Sequence, residues 1–214
     1  MKNLKELKFS LTKYKWIYKI YLLSDRSLGS SLRKASIIST GLPRCGNTLL
    51  SRKLRICYIE HPQLSHNHSI AHLKFLIDEK IPFLFCCRDP KEFIPSWHLK
   101  SGISVDLLIQ YTYDYYKILE TCDRFMAVLF EKIVSDETYY LEEIGRFFNV
   151  DVNGVTQSNV DLANDSIKKD NRGSLIATYP NKEKDAAKRV LKDKYRDQLD
   201  EVSVRIKDKW AKFM

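Results

Sequence analysis

The chain has 214 residues, 44% of them hydrophobic, with 36 Lys and Arg against 27 Asp and Glu and a formal charge of +9. That length suits one domain with a small appendage, and the apolar share supports a packed core while excluding a chain made mostly of membrane spans. The basic surplus suits solubility, or an anionic partner such as a nucleotide, a sulfated or phosphorylated substrate or a membrane surface, and five cysteines without disulfide-like spacing suit a reducing compartment.

Residues 1–34 read as a basic helical arm ending in a Ser/Gly-rich link at 24–31, ahead of one α/β domain at 35–214. The stretch 13–23, Lys-Tyr-Lys-Trp-Ile-Tyr-Lys-Ile-Tyr-Leu-Leu, is interrupted by lysines and too short to span a bilayer. It reads as an amphipathic helix docked on the domain, with peripheral contact of residues 1–23 with an anionic membrane as the second reading. No secretory signal is visible, and a cytoplasmic location is expected.

A β-prone run at 36–40 meets a turn at Gly41-Leu42-Pro43, and a helix is predicted over 47–57. Gly41, Gly46, Asn47 and Thr48 fit the phosphate-loop spacing G-x-x-x-x-G-K-[ST] everywhere but at the lysine, which is Asn47. A cation stands inside the loop instead, as Arg44. Such a strand–turn–helix cradles phosphate with backbone N–H groups and the helix N-terminus. Without the lysine, ordinary ATP or GTP hydrolysis is disfavoured. Cys45 supplies the small side chain the loop needs there, with a reactive thiol as the second reading.

His61-Pro62 breaks the chain, and 63–69 is polar and rich in histidine. Periodicity predicts a helix over 70–79, and the apolar run 81–87 a strand buried on both faces of a parallel sheet. Pro90 suits the first turn of the next helix, with Asp89 as its cap. A tyrosine-rich helix is predicted over 105–122, a strand over 125–130 and a helix over 136–149. The polar stretch 151–180 reads as a long functional loop or lid, and 182–212 as one or two exposed charged helices. Strands alternating with helices imply a parallel β-sheet flanked by helices. His66 and His68 have no partners at zinc-site spacing.

Three blocks in this order resemble the sulfotransferase family: Pro43-Arg44-Cys45-Gly46-Asn47-Thr48, then the strand 83–88 ending in Arg88 with Ser96 beyond it, then Leu129-Phe130-Glu131-Lys132-Ile133-Val134. The resemblance spans about residues 35–200. It implies a P-loop-containing nucleoside triphosphate hydrolase-like fold. It also implies transfer of a sulfuryl group from 3′-phosphoadenosine 5′-phosphosulfate (PAPS) to a hydroxyl or amine. On that reading Arg44, Cys45, Gly46, Asn47 and Thr48 bind the 5′-phosphosulfate, and Arg88 and Ser96 bind the 3′-phosphate. Arg172-Gly173 resembles the late element that closes on the 3′-phosphate, and His66 falls where cytosolic members place their catalytic histidine. The departures are Arg44 for the loop lysine, Cys45 for serine or glycine, Leu64-Ser65 for the lysine before the histidine, and Leu49 for an adenine-stacking aromatic.

Sulfuryl transfer needs in-line geometry and charge stabilisation on the transferring and leaving oxygens. Arg44 offers a permanent forked cation beside the bridging oxygen, and the N–H groups of 45–48 with the Thr48 hydroxyl complete the cradle. The expected catalytic residues are thus Arg44 and His66, with His68 and then Glu60 as alternative bases. No metal is expected. The acceptor is expected to be a small molecule, carbohydrate or lipid and not a nucleic acid. Rival readings are a small-molecule or nucleotide kinase with a degenerate loop, and a non-catalytic nucleotide-binding module.

Overall fold

A computed structural model of the chain describes residues 6, 11–14, 16, 20, 34–61, 63–135, 138–168 and 182–210, with the side chains of 63–67 and 167–168 left aside. Most of the N-terminal arm, its Ser/Gly-rich link and Arg172-Gly173 lie outside the described residues. Of the arm, Thr12 and Lys13 dock on the domain. The Thr12 carbonyl accepts from the Ala71 amide at 3.0 Å, and Lys13 pairs with Asp114 at 2.5 Å. Among the described residues no helix is long and apolar enough to cross a membrane.

Strands β1 (Ile37–Gly41), β2 (Gln63–Asn67), β3 (Phe83–Cys87) and β4 (Phe125–Leu129) form one sheet in the order β2-β1-β3-β4. All neighbours are parallel, with Thr40 opposite Phe85, Phe83 opposite Phe125 and Ile37 opposite Gln63. Every residue of β1 and β3 is buried, as expected for strands covered on both faces, and all five cysteines are free. The polar segment at 63–69 thus contains a strand that its composition hides. As an edge strand, β2 is held by backbone pairing to β1 on one side, and that pairing overrides a weak strand propensity.

The sheet is flanked by helices α1 (Asn47–Cys57), α2 (Ile70–Asp78), α3 (Pro90–Ser101), α4 (Val105–Leu119), α5 (Phe130–Val134), α6 (Thr138–Phe148), α7 (Gln157–Lys168), α8 (Lys182–Lys194) and α9 (Arg196–Trp210). Right-handed crossovers send α1 to one face, because β2 lies on one side of β1, and send α2, α3 and α4 to the other. On the first face α1 packs against α7, and its Tyr58 end donates a hydrogen bond to the Leu141 carbonyl of α6. On the second face α4 packs against α2, α3 and α9. Tyr111, Tyr115 and Tyr116 of α4 are buried there, with Tyr115 hydrogen-bonded to Thr40 Oγ1 at 3.0 Å. They are packing residues.

Two boundaries need correction. Phe130 is the first residue of α5 and not the last of β4, and the predicted lid at 151–180 holds a regular helix, α7. Thr156 caps α7, its hydroxyl accepting from the Asn159 amide at 3.3 Å, and Val160 and Ala163 are fully buried. Two small apolar residues make too narrow a stripe for periodicity to register. Residues 169–181 of that stretch lie outside the described residues.

Candidate anion-binding site

Chain direction places the site. From β1 the chain crosses to β2 on one side, and β3 lies on the other, so the loops leaving β1 and β3 diverge and open a crevice at the carboxyl ends of these strands. Ligands bind open parallel sheets at such a switch point. The loop after β1 carries Arg44 and the loop after β3 carries Arg88, so both cations lie at this crevice.

The first loop is tightly built. Gly46 caps α1 at φ 98°, and a Cβ there would stand 2.6 Å from the Phe130 ring. Only glycine fits. Arg44 also adopts a left-handed backbone, φ 71°, a conformation that costs energy in a side-chain-bearing residue and concentrates at functional sites. Asn47, where the nucleotide-hydrolase template has lysine, is 4% exposed, and its Nδ2 donates to the Leu42 carbonyl at 2.9 Å. Its side chain staples the loop and does not reach out of it. Cys45 is fully buried, and burial, reinforced by Cys86, pushes its thiol far above the ordinary value. Its reading as a reactive thiol is therefore withdrawn. What Cys45 can offer a ligand is its backbone N–H, which makes a long 3.4 Å contact to the Leu42 carbonyl. Thr48 is half-buried in the first turn of α1.

The second loop locks onto the first. Arg88 donates from Nη1 to the Arg44 carbonyl at 3.1 Å, and its guanidinium lies 3.9 Å from the Phe130 ring centroid. Arg44 Nε donates to Ser96 Oγ at 3.0 Å, across 52 positions of chain. Ser96 is buried on α3. That helix is fixed at its start by Asp89, which accepts from the Lys91 amide at 2.9 Å, from Ser203 Oγ at 2.8 Å and from Lys207 at 2.5 Å. Burial raises the pKa of Asp89, but the Lys207, Lys91 and Ser203 hydrogen bonds outweigh it and hold the carboxyl below its ordinary value. Among the described residues Arg88 Nε is buried with no hydrogen-bond partner, as is Asn47 Oδ1.

The candidate bases separate. His68, just past β2, approaches the Gly41 carbonyl with Nδ1 at 2.6 Å. A carbonyl only accepts, so Nδ1 carries the proton and Nε2 is the basic nitrogen of the neutral ring. His66 lies on β2, and its side chain is outside the described residues. Glu60 follows α1, which runs back from the carboxyl to the amino end of the sheet, so it sits at the end opposite the crevice. It is withdrawn as an alternative base.

One buried cation was not singled out from the sequence. Lys184, in the first turn of α8, is 6% exposed. Burial first, then the charges of Arg44, Lys188 and Arg88, lower its pKa to about 8. A lysine in a helix's first turn opposes the helix dipole, and this was the available signal. It was masked by the charge alternation of 182–212. No protein-family model, curated protein or solved structure matches the chain.

Proposed function

We propose that the chain is a sulfotransferase on a phosphate-loop fold, moving a sulfuryl group from PAPS to a hydroxyl or amine acceptor by in-line transfer. The observation that carries this reading is the hydrogen bond from Arg44 to Ser96, together with Arg88 on the Arg44 carbonyl. It unites the loop cation with the strand-end arginine and helix serine that the resemblance assigns to the two anionic ends of one sulfuryl donor. The residues suit such a group, since cations crowd the crevice and Arg88 Nε has no partner among the described residues.

The donor supplies the sulfuryl group and, as leaving group, adenosine 3′,5′-bisphosphate. Arg44 and the N–H groups of 45–48 stabilise the negative charge that develops on the leaving 5′-phosphate oxygen. Arg88 and Ser96 hold the 3′-phosphate and so fix the donor's position. His68 takes the acceptor proton on Nε2, and the acceptor oxygen bonds to sulfur as the bridging S–O bond breaks. His68 replaces His66 as the proposed base because its ring is anchored at the loop. Small molecules, carbohydrates and lipids remain the proposed acceptor classes. Asn47 argues against the kinase reading, because the lysine position is buried and its side chain spans the loop.

Transfer from labelled PAPS across an acceptor panel, in the presence of EDTA, tests the proposal. His68→Ala should lower transfer by about 10²–10⁴-fold with affinity for the bisphosphate preserved. Magnesium-dependent ATP turnover, with no affinity for the bisphosphate, would refute it.

A further inference from the structure

We infer that Tyr111 of α4 is a positioning residue for the proposed base His68, and that the N-terminal arm completes this support through Thr12. The inference rests on the sulfotransferase reading for the reaction, and on hydrogen bonds for the linkage.

His68 stands between the edge strand β2 and Ser69, the N-cap of α2, and its ring reaches the Gly41 carbonyl at the crevice. The first amides of a helix have no partner within it. In α2 they are filled from three places. Ser69 Oγ accepts from the His72 amide at 3.0 Å, the Tyr111 hydroxyl from the Ile70 amide at 2.9 Å, and the Thr12 carbonyl from the Ala71 amide at 3.0 Å. Only the first of these is local. The other two come from α4 and from the arm.

Beyond its packing in the core, Tyr111 also touches His68 itself. Its hydroxyl lies 3.3 Å from the His68 carbonyl and 3.3 Å from Thr12 Oγ1. A phenol has one proton. With that proton on the His68 carbonyl, the phenol oxygen accepts from the Ile70 amide and the Thr12 hydroxyl, and all three bonds are made at once. Tyr111 is 1% exposed, with its ring edge-on to Trp97 of α3 at 5.8 Å, so the hydroxyl is a fixed point. Thr12 is anchored by its neighbour. Lys13 pairs with Asp114, one turn along α4 from Tyr111, and its Nζ lies 5.6 Å from the Tyr111 ring centroid.

His68 is thus held at two points, its ring by Gly41 and its backbone by Tyr111. Together they set the direction of Nε2, the atom that takes the acceptor proton. The sheet supports β2 from one side, so α4 and the arm supply what the edge strand lacks.

Tyr111→Phe, Thr12→Val, Lys13→Ala and Lys13→Arg in the full chain test this by steady-state transfer from PAPS and by nitrogen-15 NMR of the histidine rings. Tyr111→Phe should lower kcat by about 10- to 100-fold, with donor KM and affinity for adenosine 3′,5′-bisphosphate preserved. Thr12→Val and Lys13→Ala should lower kcat by less, and Lys13→Arg should retain it. The His68 Nδ1 proton should exchange faster with solvent in Tyr111→Phe than in wild type. Unchanged kcat in Tyr111→Phe, or a loss shared equally with donor affinity, overturns the inference. If wild type transfers nothing, the sulfotransferase reading fails by itself. The exchange of the His68 Nδ1 proton then decides the linkage: faster exchange in Tyr111→Phe upholds it, and an equal rate overturns it. Should Tyr111→Phe not fold, Thr12→Val and Lys13→Ala decide by the same readouts.

Discussion

Among the described residues two lysines are buried, in two different regions of the molecule. Lys53 sits on α1, 1% exposed, and donates to the Ile133 carbonyl at the end of α5, where a helix leaves carbonyls without intrahelical partners. Lys184 sits on α8 with Arg44, Lys188 and Arg88 as the leading charges around it. The first region supplies an acceptor for its cation from the fold itself. Around the second, the charges of Arg44, Lys188 and Arg88 add to burial in lowering the lysine's pKa. Burial of a lysine thus goes with a backbone acceptor in one place and with neighbouring cations in the other.

The sharpest way to break the comparison is at Arg88, which joins the two loops. Arg88→Ala removes a cation and frees the Arg44 carbonyl, so affinity for adenosine 3′,5′-bisphosphate should fall by about 100-fold or more. Calorimetry reads this directly, and a loss under about threefold would remove Arg88 from the site. Gly46→Ala should cost about 2–3 kcal/mol of stability, since φ 98° and the Phe130 ring both exclude a Cβ. A denaturant midpoint unchanged from wild type would contradict that.

Lys53→Ala should cost about 2 kcal/mol of stability, through its cavity and the stranded Ile133 carbonyl, and leave bisphosphate affinity alone. Lys184→Met removes a cation that acts with Arg44 and Arg88, and should weaken bisphosphate binding. A fall in bisphosphate affinity in Lys53→Ala, or none in Lys184→Met, would contradict the distinction between the two lysines. The smallest effect is on pH. Because the folded-state pKa of Lys184 is depressed to about 8 from 10.5, the unfolded chain binds more protons between these values. Stability of the free protein should therefore rise with pH across that window by this group's contribution, and bisphosphate affinity should fall as Lys184 loses its proton. The Lys184→Met protein should lack both components.

How much of this was legible in the sequence depended on what each element buries. Strand β3 reads directly, because a strand covered on both faces is apolar at every position, and Pro90 with Asp89 announced α3. Strand β2 did not, since an edge strand is held by backbone pairing and its composition stays polar. Helix α7 was hidden because its buried contacts are as small as Val160 and Ala163. Arg44, Arg88 and Ser96 were legible as chemistry at a spacing, though the bond between Arg44 and Ser96 needed the fold. Lys184 was illegible for a different reason. Arg44 and Arg88, which act on it, come from the loops after β1 and β3, and its first-turn position is lost among the alternating charges around it.

The central claim is that the crevice between β1 and β3 binds a sulfuryl donor through Arg44 and Arg88 without a metal. Calorimetric titration of wild type, Arg44→Ala and Arg88→Ala with adenosine 3′,5′-bisphosphate in EDTA tests it most directly. One-to-one binding by wild type, lost in both variants, is the predicted result. No binding by wild type, or equal binding by all three proteins, would contradict the claim.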